Sequence, residues 1–428
     1  MGHKAMGANR PMALKFFRGR GDSAALFFME DPVILSHKIK KLVMDQEGWT
    51  RKMFEAGIRM KKDYGVENVY DFSLGNPEIE PPLSLKSRLV ELLDHPAPGM
   101  HRYMPNNGYE QVREEIAAYL SGRCGLPFTA LHVFMTVGCA GGLNILFKAM
   151  LNRGDEVVLP SPFFWEFKNY IENFGAIPKV VDTKEDFQLD VGSIEAALTA
   201  RTRAILINSP NNPTGVVYKE ESLKELADLL YRERRRGREI YILADEAYRK
   251  LVYSEAPLPD LFGLYDLVIA VTSHSKDLAL AGERIGYVAI SPHIVETPLL
   301  VSGLMIAIRA LGFVNAPALF QRAVGSFQGS SVSIDDYRQK RDFLYDVLME
   351  AGFECVKPTG AFYMFPRSPL PDEVEFVFKM QEEERILVVP GRGFGKEGYF
   401  RIAYCVPMET IKKAKAGFLR AGKRYIGR

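Results

Sequence analysis

The chain has 428 residues, 47% of them hydrophobic and 25% charged, with 55 Lys and Arg against 53 Asp and Glu. This near-neutral, globular balance excludes disordered, collagenous and fibrous chains, and it lacks the strong basic excess of a dedicated nucleic-acid binder. The length suggests two or three domains.

Residues 1–30 carry several basic residues but no continuous apolar core of signal-peptide length, and they read as a loose extension upstream of a second start at Met29. The segment 31–64 reads as helical. From about residue 133, short β-rich runs alternate with longer amphipathic ones: HVFMTVG, DEVVLPSP, IPKVVDT, TRAILINSP, EIYILADEAY, DLVIAVTSHS and RIGYVAIS. Such runs, rich in Val and Ile, suit strands buried on both faces, and the helical stretches between them predict βαβ crossovers. In KEESLKELADLLYRERRRG, Leu223, Leu226, Leu229 and Leu230 share one face, with acids at the start, arginines at the end and Gly237 placed to stop the helix. The arginine run fits a solvated, dipole-matched helix end better than a phosphate or nucleic-acid site.

The greasy stretch 298–320 is interrupted by Arg309 and Asn315, which argues against a membrane span. Beyond it come a polar helix over 334–351 and the short runs CVKPTG, AFYMFPR, ILVVPG and FRIAYC. The expected architecture is α/β: a large domain over 76–315 built on a mainly parallel central sheet with helices on both faces, and a smaller α+β domain from 31–75 and 316–428. Cys124, Cys139, Cys355 and Cys405 show no CxxC spacing, and the histidines form no HExxH, so neither a zinc site nor a disulfide framework is expected.

Lys276 follows the strand-like VIAVTSHS. A lysine is ordinarily solvated surface, but the exit of a buried strand is where α/β proteins place ligands, and a lysine there can form a Schiff base. Arg284 could hold a phosphate beside it, with Ser273 and Ser275 offering hydroxyls. Asp245 ends EIYILAD and is either a helix cap or a functional acid. NSPNNPTG reads as a turn, yet Asn212 would share the edge of Asp245 and Lys276. Gly138, Cys139 and Ala140 open a helix after a strand, where backbone amides can meet a phosphate. Neither this cluster nor GRGFGKE matches a dinucleotide or P-loop fingerprint. A phosphate cup, a Schiff-base lysine and an acid at one sheet edge suggest pyridoxal phosphate.

With SLGNP, HRYMPNNGYEQVREEIAAYL, TVGCAGGLN, PSPFFWEF, NSPNNPTG, ADEAY, SHSKDLALAGERIGY, GAFYMF and FRIAY in order, the chain resembles the fold-type-I, class I/II aminotransferases from about residue 70 to its end. The resemblance implies that Lys276 carries pyridoxal 5'-phosphate and shuttles a proton, and that Asp245 pairs with the ring nitrogen. Asn212 and Tyr248 would bond the ring's phenolic oxygen, and Phe164 would lie against the ring. The phosphate would be held by Gly138, Cys139, Ala140, Ser273 and Arg284, and by Tyr103 from the neighbouring subunit of a homodimer. Arg401, with the backbone near Gly75, would take the substrate's α-carboxylate. In the dicarboxylate-specific branch an arginine binds the distal carboxylate across the dimer; Arg309 lies near that point, about one residue out of register, and a plain helix arginine is the equal alternative.

The cup lacks the Ser or Thr hydroxyl common in the family, and Phe164 stands where Tyr or Trp is common. Cys139 reads as a small packing residue rather than a reactive thiol. The implied activity is amino transfer between an L-amino acid, aspartate or glutamate favoured, and a 2-oxo acid such as 2-oxoglutarate, in the cytoplasm, with no membrane or nucleic-acid partner. The alternatives are transfer from alanine, aromatic or other neutral amino acids, and carbon–sulfur lyase chemistry. An aminotransferase-like transcription regulator would need an N-terminal DNA-binding domain, and no such pattern precedes SLGNP.

Overall fold

The computed structural model describes residues 34–44, 48–253 and 258–427; the extension read over 1–30 lies outside them. The chain divides into two compact units, Met1–Glu47 and Gly48–Arg428. The first contributes the helix His37–Met44. The sheets and cores described below belong to the second.

All seven apolar runs form strands of one seven-stranded sheet. Its order is Val133–Thr136, Gly286–Ile290, Val268–Ser273, Tyr241–Asp245, Thr202–Asn208, Glu156–Ser161 and Ile177–Asp182. The strands run parallel except Gly286–Ile290, which is antiparallel to both neighbours. The strands are buried along nearly their whole length, with Arg203 the exposed exception, whereas the edge strand Ile177–Asp182 is largely exposed. Side chains such as Ile205, Ile242, Val268 and Ile269 are fully buried, each worth about 1.5–3 kcal/mol relative to exposure. The register matters for function. Asn208 pairs with Asp245 and Asp245 with Val271, so the carboxyl ends of the parallel strands finish at one edge. Gly286 pairs with both Thr136 and Ser273. A Cβ there would strike the Thr272 carbonyl and come within about 3 Å of the Cα atoms of Ser273 and Gly138, so only glycine lets the three segments meet.

The helix Glu220–Arg235 buries Leu223, Leu226, Leu229 and Leu230 as expected, and Gly237 follows its cap residue with φ 81°. Arg234 bonds Asp266 at 2.7 Å and Arg236 bonds Glu233 at 2.8 Å, so carboxylates already occupy part of the basic run. The stretch 298–320 splits into the helices Thr297–Ala310 and Ala318–Val324. Among the described residues, no helix is long and apolar enough to cross a membrane.

Two apolar cores form. One surrounds the seven-stranded sheet and includes Ala316, Ala323 and Val324. The other gathers Met53, Phe72, Tyr337, Phe362, Phe376 and Phe418 from both ends of the chain. Its strands are short: Tyr70–Asp71 pairs in parallel with Ile386–Leu387, and Phe400–Ala403 lies antiparallel between Val389–Pro390 and Tyr363–Met364. The helices Trp49–Tyr64, Ile334–Glu350, Glu373–Glu384 and Met408–Tyr425 pack further side chains into it.

Candidate functional site

A cavity of about 340 Å³ opens at the sheet edge where those strands end. Twelve residues singled out in the sequence line it: Gly75, Cys139, Ala140, Phe164, Asn212, Asp245, Tyr248, Ser273, Ser275, Lys276, Arg284 and Arg401. Gly138 stands just behind, where an added Cβ would lie 2.9 Å from Arg284 Nη2. Tyr103 and Arg309 do not join them. Tyr103 is 92% exposed, and Arg309 is exposed on the last turn of Thr297–Ala310, its Nε bonded to the Met305 carbonyl at 3.2 Å.

Lys276 sits on the single turn His274–Asp277 that follows the strand Val268–Ser273. Its Nζ donates to the Gly75 carbonyl at 2.7 Å. Burial lowers its pKa from 10.5 to about 8, with Arg284 and Arg401 adding to the effect. Desolvation penalises the ammonium form and leaves part of the amine neutral near physiological pH.

Asp245 is pushed the other way, from 3.8 to about 6, chiefly by burial. Its carboxylate still accepts the Ala247 amide at 3.1 Å. Asp245 thus caps a turn and lines the cavity at once. The Cys139 thiol beside it is held well above its ordinary pKa by burial and by the Asp245 carboxylate. A protonated, enclosed thiol is a packing group rather than a nucleophile.

Arg401 is buried on the strand Phe400–Ala403 between the rings of Tyr363 and Phe394, whose centroids lie 4.9 and 4.5 Å from its guanidinium carbon. Nη1 donates to Asn212 Oδ1 at 3.1 Å and Nη2 to the Ser73 carbonyl at 2.5 Å, while Nε has no partner. The NSPNNPTG turn holds Asn212 in place, since its amide donates to Asn208 Oδ1 at 2.7 Å.

At the other end, Ser273 Oγ, Ser275 Oγ and Arg284 Nη1 form a chain of bonds at 2.7 and 3.4 Å. The first turn of the helix Gly138–Met150 lies beside them. Two hydroxyls, a guanidinium and a helix N-terminus make a donor set for a phosphate. Ser275 lines the cavity beside the turn that lacks a cup hydroxyl.

Sequence reasoning missed other lining residues, among them Thr50, Tyr170, Asn208 and Tyr363. Tyr363 bonds Tyr248 through their hydroxyls at 2.8 Å, and a Cβ on Gly75 would collide with the Tyr363 hydroxyl. Position within GAFYMF was its only signal. Glu166 was also passed over. It opens the helix Glu166–Glu172, one turn before Tyr170 and two residues after Phe164. Burial pushes its carboxyl up while Arg401 pulls it down, and it has no ion-pair partner among the described residues.

Known proteins resemble the chain over most of its length. The family described as aminotransferase class I and II matches residues 67–417. The aspartate aminotransferase of Pyrococcus abyssi is 31% identical over 85% of this chain and 92% of its own. Aromatic-amino-acid aminotransferase 2 of Thermococcus litoralis is also 31% identical, over 87% and 95%. An aminotransferase crystal structure from Eubacterium rectale superposes with a TM-score of 0.88 at 38% identity, covering 92% of this chain and all of that one.

Proposed function

The chain belongs to the class I and II aminotransferases, and from that premise we propose that it binds pyridoxal 5'-phosphate in the cavity around Lys276 and moves an amino group between an amino acid and a 2-oxo acid. Members of this family use that cofactor, and the donors present suit it: an amine, a buried carboxylate and a phosphate-sized set of hydroxyls, guanidinium and amides. The observation that carries the reading is the convergence of Lys276, Asp245, Asn212, Arg284 and Arg401 on one cavity.

When bound, the cofactor supplies an aldehyde for an amine to condense with and an electron-poor ring that takes up the electron pair left on the substrate's α-carbon. Arg284, Ser273, Ser275 and the amides of Cys139 and Ala140 would hold its phosphate. Asp245, anionic above pH 6, would keep a proton on the ring nitrogen. Asn212 and Tyr248 would bond the phenolic oxygen. Arg401 would orient the substrate through its α-carboxylate, using the terminal nitrogens of its guanidinium. Lys276 Nζ, partly neutral at working pH, would take the α-proton and return it. The large sheet domain, expected over 76–315 and extended to Val324 by Ala316, Ala323 and Val324 in its core, would carry the cofactor. The second core, which holds Met53, Phe72 and Phe418, would belong to the small domain that brings Arg401. Exposed Tyr103 would serve a second copy's cavity, making the working unit a homodimer, and the free cysteines fit the cytoplasm.

For the donor, aspartate or glutamate with 2-oxoglutarate as acceptor is supported by relatives named aspartate aminotransferase and by Arg309, which would have to act in a neighbour's cavity. A second reading, a donor with an uncharged side chain, is favoured by Glu166: it lies within electrostatic reach of Arg401, where it opposes a second carboxylate. A half-reaction screen tests the function. The purified protein with pyridoxal phosphate is mixed with each amino acid, and the cofactor's absorbance is followed to its amine form. Conversion that a 2-oxo acid reverses supports amino transfer, pyruvate release without an acceptor indicates a lyase, and no conversion with any amino acid contradicts both.

A further inference from the structure

The turn that carries Lys276 is held from a second side. Ser273, Ser275 and Lys276 line the cofactor cavity, whereas His274 and Asp277, one turn apart, line a neighbouring cavity of about 380 Å³. Asp277 accepts a hydrogen bond from Lys250 Nζ at 2.7 Å and lies 3.2 Å from His274 Nδ1. The same Lys250 nitrogen donates to the Ser330 carbonyl at 3.1 Å, and the Asp277 carbonyl accepts the Val332 amide at 2.7 Å. His274 Nε2 in turn lies 3.2 Å from Gln328 Nε2. Three residues of one strap, 328–332, are therefore fastened behind the lysine. That strap leads from Val324, in the sheet core, to Val332, in the other core.

We propose that the Lys250–Asp277 ion pair is a positioning device for Lys276, fixing the turn that carries the amine to the strap joining the two cores. His274, Asp277 and Gln328 are buried, so breaking the pair leaves a charge that water cannot easily screen. The other charged groups of that cavity are already matched, Arg123 with Glu246 and Asp260, and Arg249 with Glu246. Facing Lys276 from the cofactor side are Arg284, Arg401, Cys139, Cys405, Asp245, Tyr248 and Tyr363, none of which the variants below alter. Burial opposes ionisation of Asp277, but His274 and Lys250 outweigh it and hold the carboxyl below its ordinary range.

The inference rests on the assignment of Lys276 as the reacting amine, and its test separates the two. Asp277→Asn, Lys250→Met and the double variant are compared with the wild type in two ways. The first is the pH dependence of labelling by an amine-reactive dinitrophenyl reagent in the cofactor-free protein, read by mass spectrometry of the Lys276 peptide. The second is kcat and KM of the loaded enzyme. Asp277→Asn leaves an unbalanced cation and should move the labelling midpoint down by on the order of half a pH unit; Lys250→Met leaves an anion and should move it up by as much. The double variant should return it to the wild-type value while kcat stays several-fold low with KM little changed, because the strap is untied. A purely structural role would not give opposite shifts that cancel. Equal midpoints in all four proteins would overturn the inference and leave Lys276 as assigned. A Lys276 that labels only near pH 10.5 in every protein would overturn the assignment itself.

Discussion

Arg401 and Asn212 lie 189 residues apart in the chain and meet at 3.1 Å, the guanidinium donating to the amide oxygen inside a buried cavity. One comes from the C-terminal core and the other from a turn at the edge of the main sheet. The contact therefore aligns the group assigned to the substrate's carboxylate with one assigned to the cofactor ring.

Replacing the planar fork by a point charge at that position tests the assignment. Arg401→Lys keeps the charge but loses the paired geometry. The loss of a charge-assisted bond is worth about 2–3 kcal/mol, or roughly 30- to 150-fold in kcat/KM for every amino acid and 2-oxo acid. Cofactor absorbance should be unchanged.

The two shifted groups predict opposite pH limits. Lys276 should react with an amine reagent in the cofactor-free protein with a midpoint near 8 rather than 10.5. Asp245, raised to about 6, is the ring's anionic partner only above that value. Pyridoxal phosphate affinity, measured by absorbance titration, should fall as pH drops through 6, and Asp245→Asn should flatten that dependence.

Selectivity should respond in opposite directions to two substitutions. Glu166→Gln removes a carboxylate near Arg401 and should raise kcat/KM for aspartate relative to alanine by about 5- to 10-fold, the worth of roughly 1 kcal/mol of like-charge repulsion. Arg309→Ala should lower aspartate more than alanine or an aromatic amino acid if it binds a distal carboxylate. Equal losses on all donors remove Arg309 from the site.

Tyr103→Phe tests the shared site. With its ring 92% exposed, the phenol has little to stabilise within its own subunit. The variant should melt like the wild type yet release pyridoxal phosphate about 10-fold faster on dilution.

The sheet was legible because strands buried on both faces carry no polar alternation, and all seven apolar runs became strands. That same feature hid the reversed direction of Gly286–Ile290, since an apolar run reads alike either way. Lys276, Asp245 and Asn212 were legible from their place at strand ends. Tyr363 and Tyr170 were not: Tyr363 lies in a two-residue strand paired with Ile402 and Ala403, Tyr170 on a short helix, and an aromatic residue in either place looks like any core residue. Glu166 looked like an ordinary acid at a helix start, where the dipole favours one. Only its nearness to Arg401 sets it apart.

The central claim is that Lys276 is the amine through which amino transfer proceeds, and its most direct test is the steady-state transfer rate of Lys276→Ala supplied with pyridoxal phosphate. The rate should fall by at least about 10³-fold, at the upper part of the range for a general base that is also the cofactor's attachment point. A rate within about 10-fold of the wild type would contradict it.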